Sequence, residues 1–421
     1  MADSAAFPPG GDGVIRAPAA MVDIEIGGGK VDRPLLPAGV AFARLLIRLH
    51  GHPIGVIDFS AAELESVDLL EVIGRQHGEA IRRHRDRYHA SNSDPDSCSW
   101  RVAITGEPPG ATIVINSCAA SAGLARTIDS ALGQDYPGAH VIVVDNRPAT
   151  SGIDRMLRER FGEQRVGYVE AVRPGLGRAR NAGLYASTTP IVAFTDDDVV
   201  LDGGWLGWLV AGFHAAERVA CVTGLIVPLE LETQAQVFME EFSGFGKGFE
   251  LRVWDRDEHR LEHPLYPYTV GVFGSGASAA FRRETLMAMG GFDPHLGIGT
   301  LAIGGEDIDL YARLVLGGHR IVYQPSSILR HLHRREMRSL DRQIQGYGAG
   351  LTAMLTKHLV SGAETRRAVL SRIPAGVGYA VSPRSPKNAR KPSEFTVRQS
   401  LLEWAGMAYG PIGYFRSRLA G

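Results

Sequence analysis

The sequence predicts an α/β protein: a mainly parallel sheet with helices on both faces, a small α+β module ahead of it and a helical tail behind. Short, continuously apolar runs such as "TIVIN", "HVIVVDN" and "PIVAFTD" read as strands buried on both faces. They alternate with amphipathic stretches of helical length, the order that builds a parallel sheet. At 421 residues the chain is also long enough for two or three domains.

Composition narrows the class of function. With 44% hydrophobic and 22% charged residues the chain reads as a soluble globular protein, and 45 basic against 46 acidic residues leave no global field to recruit nucleic acid. Cys98, Cys118 and Cys221 are odd in number and widely spread, which fits a reducing, cytoplasmic compartment, predicts no zinc site and makes each a small apolar filler. The start, "MADSAAFPPGGDGVIRAPAA", lacks the basic and apolar regions of a signal peptide, and residues 1–37 read as a disordered arm. No apolar run reaches the roughly 20 residues of a transmembrane helix.

Residues 38–100 form the predicted module. "AFARLLIRLHGHPIGVIDF" breaks at Gly51 to Pro53, giving two short strands around a turn. Leu64, Leu69, Leu70, Val72 and Ile73 recur at helical spacing behind them, and "SNSDPDSCS" reads as a linker. The catalytic region is expected over 108–335. Its order is strand "TIVIN", helix "AGLARTIDSALGQ", strand "HVIVVDN", helix "SGIDRMLRERFG", strand "RVGYVEA", helix "GRARNAGLYAS" and strand "PIVAFTD", before a less regular stretch rich in Gly and aromatics. A helical extension (336–381), a Pro- and basic-rich linker (382–396) and an aromatic, amphipathic tail (397–421) follow.

In such sheets ligands bind beyond the carboxyl ends of the strands, where Asp145 and the run Asp196, Asp197, Asp198 fall. Three adjacent carboxylates repel unless a cation, donors or solvent offset them, and a solvated, helix-capping turn is the plain alternative. An EF-hand loop is excluded, because its turn glycine would be Leu201 and its twelfth ligand Gly207. Residues two apart on an extended chain share a side, so Asp196 and Asp198 form half of an oxygen-rich site for Mg2+ or Mn2+. "RPGLGRARNAGL" places Arg180 where the dinucleotide fingerprint needs its third glycine; what remains is a Gly-rich helix start with Arg178, Arg180 and Asn181 that suits a phosphate or ribose. Glu306, Asp307 and Asp309 open the helix of "GGEDIDLYARLVLGG", where acids also stabilise a first turn, and His331 and His333 lie beyond the next strand.

The ordered set "TIVIN", "VIVVDN", "GRARNAGL", "FTDDD", "GSGASAAFRRETLMAMGGFD", "GGEDIDLYARLVLGG" and "YQPSSILRHLHR" resembles the inverting family 2 glycosyltransferases of the GT-A fold over about Thr112 to Arg335. The resemblance implies a nucleotide-sugar donor (UDP-, dTDP- or GDP-linked) and a glycan, lipid-linked or small-molecule acceptor. It implies Asp145 at the base, Asn116 in the same pocket, Arg178 lining the donor site and Asp196 at the ribose or metal. Asp198 would hold Mg2+ or Mn2+, with His331 the metal-facing histidine and His333 the second choice; Asp197 joins the donor contacts as the most replaceable of the run. Asp307 is the expected base, assisted by Glu306 at the acceptor. The chain departs from the pattern at Asn146, where a second acid is usual, and at Ser278, where an Asn is familiar.

A nucleotidyltransferase also uses nucleotide, metal and paired acids, but its basic Gly-rich signature after the first strand is reduced here to Gly123 and Arg126. A GT-A-like binding protein without turnover is the third reading, against which stand all the expected acids. The tail, "LLEWAGMAYGPIGYFRSRL", suits a membrane interface, on the inner face, as well as a helix packed on the catalytic domain or in a homodimer; its glycines and Pro411 weaken a continuous helix.

Overall fold

The computed structural model describes residues 15–27, 31–89, 98–162, 165–243, 245–263, 265–269, 271–382, 385 and 397–421. Most of the expected linkers at 91–99 and 382–396, and residues 1–14 of the expected arm, lie outside the described residues.

Two sheets organise the chain. The first joins β1 (Ala19–Glu25), β2 (Phe42–Leu49) and β3 (His52–Ser60), with β1 parallel to β2 and β2 antiparallel to β3. β1 corrects the reading of residues 1–37 as an arm. Its alternation is weak, but pairing with β2 supplies the ladder, while Ile24 and Ile26 enter the core of Leu45, Ile47, Ile57 and Leu64. The β2–β3 turn is His50-Gly51 rather than Gly51 to Pro53, and both residues have positive φ (52° and 80°), as a two-residue hairpin of matching twist requires. The expected single helix is two. α1 (Ala61–Ser66) starts in a capping box between Ser60 and Glu63, and α2 (Leu69–His89) begins after a break at Val67 and Asp68.

After α3 (Trp100–Ala103) the large sheet begins. In chain order its elements are β4 (Ala111–Ser117), α4 (Ala122–Leu132), β5 (Ala139–Asp145), α5 (Ile153–Phe161), β6 (Gly167–Glu170), α6 (Leu176–Ala186), β7 (Ile191–Asp196), β8 (Val199–Leu201), α7 (Trp205–Gly212), β9 (Val219–Pro228), α8 (Gln234–Ser243), β10 (Arg252–Trp254), β11 (Ala279–Arg282), α9 (Arg283–Ala288), α10 (Glu306–Leu316) and β12 (Arg320–His331). Among the described residues the strand order is β10-β12-β9-β11-β7-β4-β5-β6, with β8 on β12. β4, β5, β6 and β7 are mutually parallel, as are β9 and β12. β11 lies antiparallel between β7 and β9, so the sheet is mixed on that side. Alternate β4 residues feed the two layers: Ile113 and Ile115 pack with Leu124, Ile128 and Leu209, and Val114 with Ala179, Leu184 and Phe194.

Helices α11 (Met337–Ser361), α12 (Ala363–Leu370) and α13 (Ile373–Val381) follow, and a last helix spans Val397–Ala420. That helix is continuous through Gly406, Gly410, Pro411 and Gly413 and packs along α11. Its glycines, expected to weaken it, are where the two backbones close: a Cβ on Gly406 would stand 2.0 Å from Gln345 O, and one on Gly410 2.4 Å from Ala349 O. No helix of the described residues is long and apolar enough to cross a membrane.

Candidate active site

The registers bring the strand-end residues together. Ser117 pairs with Asp145 and Asn116 with Asp196, so β4, β5 and β7 deliver them to one edge of the sheet. β8 then turns back onto β12 with Val199 opposite His331, which sets His331 beside Asp198.

Asp145 reaches the crevice wall but is fully buried, with both oxygens engaged: Oδ1 accepts from Arg147 N (2.9 Å), and Oδ2 accepts from the Ser151 hydroxyl and from Tyr168 Oη (3.0 Å). It shapes the loop after β5 from within. Asn116, also buried, has Oδ1 and Nδ2 without a protein partner, an arrangement expected where a ligand completes the bonding. Asn146 donates its backbone N–H to Ser117 O (2.8 Å).

The three aspartates divide as their alternation requires. Asp197 accepts from the Ser117 hydroxyl, across the crevice end of β4, and burial pushes it up to about 6 against that bond. Asp196 and Asp198 face His331, and one ligand atom from each of the three lies within 4.8 Å of the others. Burial raises both carboxyls above their ordinary range, Asp196 with help from Asp198. Burial, with His333 alongside, lowers His331 to about 3, leaving a neutral imidazole.

His333, the second choice for the metal-facing histidine, turns both ring nitrogens toward protein groups. Its Nε2 faces Glu240 Oε2 (3.1 Å) and its Nδ1 faces His331 Nδ1 (3.1 Å), while Phe245 packs on both rings. In the tautomer that donates His333 Nε2–H to Glu240, His333 Nδ1 accepts from His331 Nδ1–H and the lone pair of His331 Nε2 turns toward Asp198. The line continues beyond Glu240: Arg44 of β2 lies 3.6 Å from it and forms a bidentate pair with Asp58 (2.8 Å each). A divalent cation fits this donor set. Asp198 Oδ1 is buried without a hydrogen-bond partner and stands 3.4 Å from His331 Nε2, a carboxylate and an imidazole of the kind that would hold an oxygen- and nitrogen-binding ion.

Across the crevice, α10 starts at Gly305, whose φ of 97° and proximity to Gly350 O (2.5 Å from a Cβ there) leave room only for glycine. Glu306 is buried, and burial followed by repulsion from Asp307 pushes it up to about 7. Asp307 is partly exposed; its Oδ2 accepts from Gly276 N (3.1 Å) and its Oδ1 from Ile308 N (2.8 Å). Asp309 turns away from the crevice to Arg313 (2.8 Å), Lys357 (2.7 Å) and His358 (3.2 Å).

The residue that unites the two halves is Arg180. It is 2% exposed, lies 3.1 Å from Glu306 and 3.6 Å from Asp196, and stacks over Phe292. Arg178, two residues earlier on α6, is more exposed and donates to Pro174 O (2.9 Å), near the end of the C-terminal helix. Asn181 clamps Phe292 through both backbone groups (2.8 Å each). Ser278 points into the core, where its Oγ accepts from Trp205 Nε1 (2.9 Å), and so takes no place in the crevice.

Among curated proteins, the chain is 30% identical over 216 residues to a pre-mycofactocin glycosyltransferase of Mycobacterium tuberculosis, covering 49% of this chain and 42% of that protein. It is 26% identical over 219 residues to a glucosyl-dolichyl phosphate glucuronosyltransferase of Haloferax volcanii, covering 49% and 63%. The chain thus spans about half the length of these relatives. A solved mannosyltransferase of Pyrobaculum calidifontis, in complex with GDP-Man and Mn2+, is similar over 76% of this chain and 93% of its own at 18% identity, with a TM-score of 0.46. Residues 108–345 match the model of the glycosyltransferase like family 2, a span that holds every crevice residue named above from Asn116 to His333, and the chain belongs to that family.

Proposed function

We propose that the protein transfers a sugar from a nucleoside diphosphate-sugar to an acceptor hydroxyl, by a single displacement that inverts the anomeric carbon. The observation that carries this reading is the buried Arg180, which holds the strand-end acids and the α10 acids on opposite sides of one crevice.

In this reading Asp196, Asp198 and His331 would hold Mg2+ or Mn2+, which when bound offsets charge on the diphosphate leaving group. Asn116, with its unspent amide, contacts the nucleotide or sugar, and Arg178 reaches the donor side at the helix start. Asp145 holds the base-side loop in shape, and Asp197 ties the acid run to β4 through Ser117. Asp307, partly exposed and pinned by Gly276 N–H, takes the acceptor proton. Glu306, whose charge is shared with Arg180, sets the field around that base and the acceptor. The leaving diphosphate, and not pyrophosphate, separates this reading from nucleotidyl transfer.

A panel of UDP-, dTDP- and GDP-sugars with Mn2+ or Mg2+, scored for binding and for slow donor hydrolysis, tests the assignment without knowledge of the acceptor. Donor binding and nucleoside diphosphate release are expected for at least one sugar, and Asp307→Asn should keep the binding while losing the release. Release of pyrophosphate, or nucleoside diphosphate release undiminished in Asp307→Asn, would sink it.

A further inference from the structure

Outside the crevice, a second group of metal-binding side chains converges where the three-stranded module meets the approach to the large sheet. His50 stands at the tip of the β2–β3 hairpin, His84 on α2, and Cys98 just before α3. Cys98 Sγ lies 3.4 Å from His50 Nδ1 and 3.5 Å from His84 Nε2, and one ligand atom of each residue lies within 4.8 Å of the others. Cys98 and His84 are 1% and 7% exposed, and His50 is half-buried.

These separations match a tetrahedral ion. Zinc–sulfur and zinc–nitrogen bonds of about 2.3 and 2.0–2.1 Å, opened to the tetrahedral angle, put sulfur and nitrogen about 3.5–3.6 Å apart. The supports of the cluster are independent of the ligand contacts. Glu25 accepts from His50 N (2.7 Å) and Gly51 N (3.0 Å), which holds His50 in its left-handed conformation. His52 spans the Cys98 carbonyl (2.7 Å) and Ser326 Oγ (2.7 Å) on β12 and meets Trp208 edge-on (4.6 Å). Hairpin and cysteine are therefore both tied to the large sheet before any ion is considered.

We propose that His50, His84 and Cys98 form a zinc site that staples the hairpin and α2 to the segment entering the large sheet. One thiolate and two imidazoles make a borderline-soft donor set that selects Zn2+, whereas the carboxylate-rich crevice suits Mg2+ or Mn2+, so the two sites take different ions. On binding, the Cys98 thiol gives its proton to solvent and the hydrated ion sheds waters as Sγ and two ring nitrogens take their places and the coordination number falls to four; nothing is oxidised or reduced. The sequence alone conceals this site because its ligands are 34, 14 and 48 residues apart, none in a zinc-like spacing.

The test uses the full chain, reduced and stripped by chelator, titrated with Co2+ and then Zn2+. Cobalt bound to a thiolate gives a near-ultraviolet charge-transfer band that a carboxylate and imidazole site cannot produce. The band is expected to saturate at one thiolate-bound ion per chain, to be displaced by Zn2+, to persist in Asp198→Asn and to vanish in Cys98→Ser. His84→Asn should weaken Co2+ binding by roughly 100-fold or more, beyond the loss of a merely supporting partner. Zn2+ should raise the melting temperature of the wild type and not of Cys98→Ser. A wild-type chain that is folded by circular dichroism yet gives no band overturns the proposal, as does a band that survives in Cys98→Ser. If Cys98→Ser does not fold, the wild-type band and its weakening in His84→Asn decide the matter.

Discussion

The guanidinium of Arg180 lies between Glu306 and Asp196, at 3.1 and 3.6 Å. One buried charge thus sets the spacing of two acidic clusters separated by about a quarter of the chain. Removing it strands a carboxylate in the interior, a change that costs about 3–5 kcal/mol where a buried pair loses one partner. Arg180→Met is expected to lower thermal stability on that scale and to abolish donor turnover, while Arg180→Met with Glu306→Leu recovers stability without activity. A denaturation series over the single and double variants checks both parts. Equal stability of Arg180→Met and the wild type would show that the pair is not coupled.

His333 is expected to act through His331. His333→Ala should weaken Mn2+ binding by about 10–100-fold, the usual cost of losing a partner that orients a metal-ligating histidine. His331→Ala should cost more, and Glu240→Gln should shift affinity in the same direction as His333→Ala. Mn2+ titration of the three variants orders them; a His333→Ala variant that binds as the wild type does would remove the relay.

Asp309 supplies a pH dependence with a definite sign. Burial alone would raise its carboxyl, but His358, Lys357 and Arg313 more than reverse this and hold it below the ordinary range. A depressed carboxyl contributes stability that is present above the unfolded pKa, about 3.9, and is lost as pH falls through the folded one. The wild type should therefore lose stability below about pH 4, and Asp309→Asn, less stable at neutral pH, should show a flatter profile there. Denaturant midpoints between neutral and strongly acidic pH measure this. Parallel profiles for the two proteins would exclude Asp309 as a source of the dependence.

What the sequence disclosed and what it hid follow from range of interaction. The strands ending at Ser117, Asp145 and Asp196 are local patterns with local punctuation, so both the α/β layering and the gathering of acids at one edge were legible. The resemblance singled out Arg178 and passed over Arg180, because both lie in one helical turn and only the packing of α6 against Phe292 and Glu306 turns Arg180 inward. The antiparallel β11 depends on pairing with Val192 and Val222, both far from it in the chain, and nothing in "SAAFRR" states its direction. Asp145 looked like a residue open to a ligand, yet Ser151 and Tyr168, six and 23 positions later, claim its oxygen. β1 was missed for the same reason: its ladder partner, β2, begins at Phe42, 17 residues after β1 ends at Glu25.

Glycine gives a last prediction, in which one substitution has opposite signs at two helical positions. Gly406 faces α11 so closely that a methyl group would stand 2.0 Å from Gln345 O and 3.0 Å from Ala349 N, both backbone atoms that cannot swing aside. Gly406→Ala must push the helices apart and is expected to cost about 1–3 kcal/mol, as overpacking does. Gly74 lies within α2, where an added methyl would meet nothing within 4 Å. There the change only restrains the unfolded chain and improves helix propensity, so Gly74→Ala should stabilise by about 0.5–1 kcal/mol. Thermal unfolding of the two variants against the wild type reads both signs. If Gly406→Ala proved neutral, the C-terminal helix would be only loosely seated on α11, and its exposed Trp404 and Phe415 would then face surroundings other than those of a docked helix.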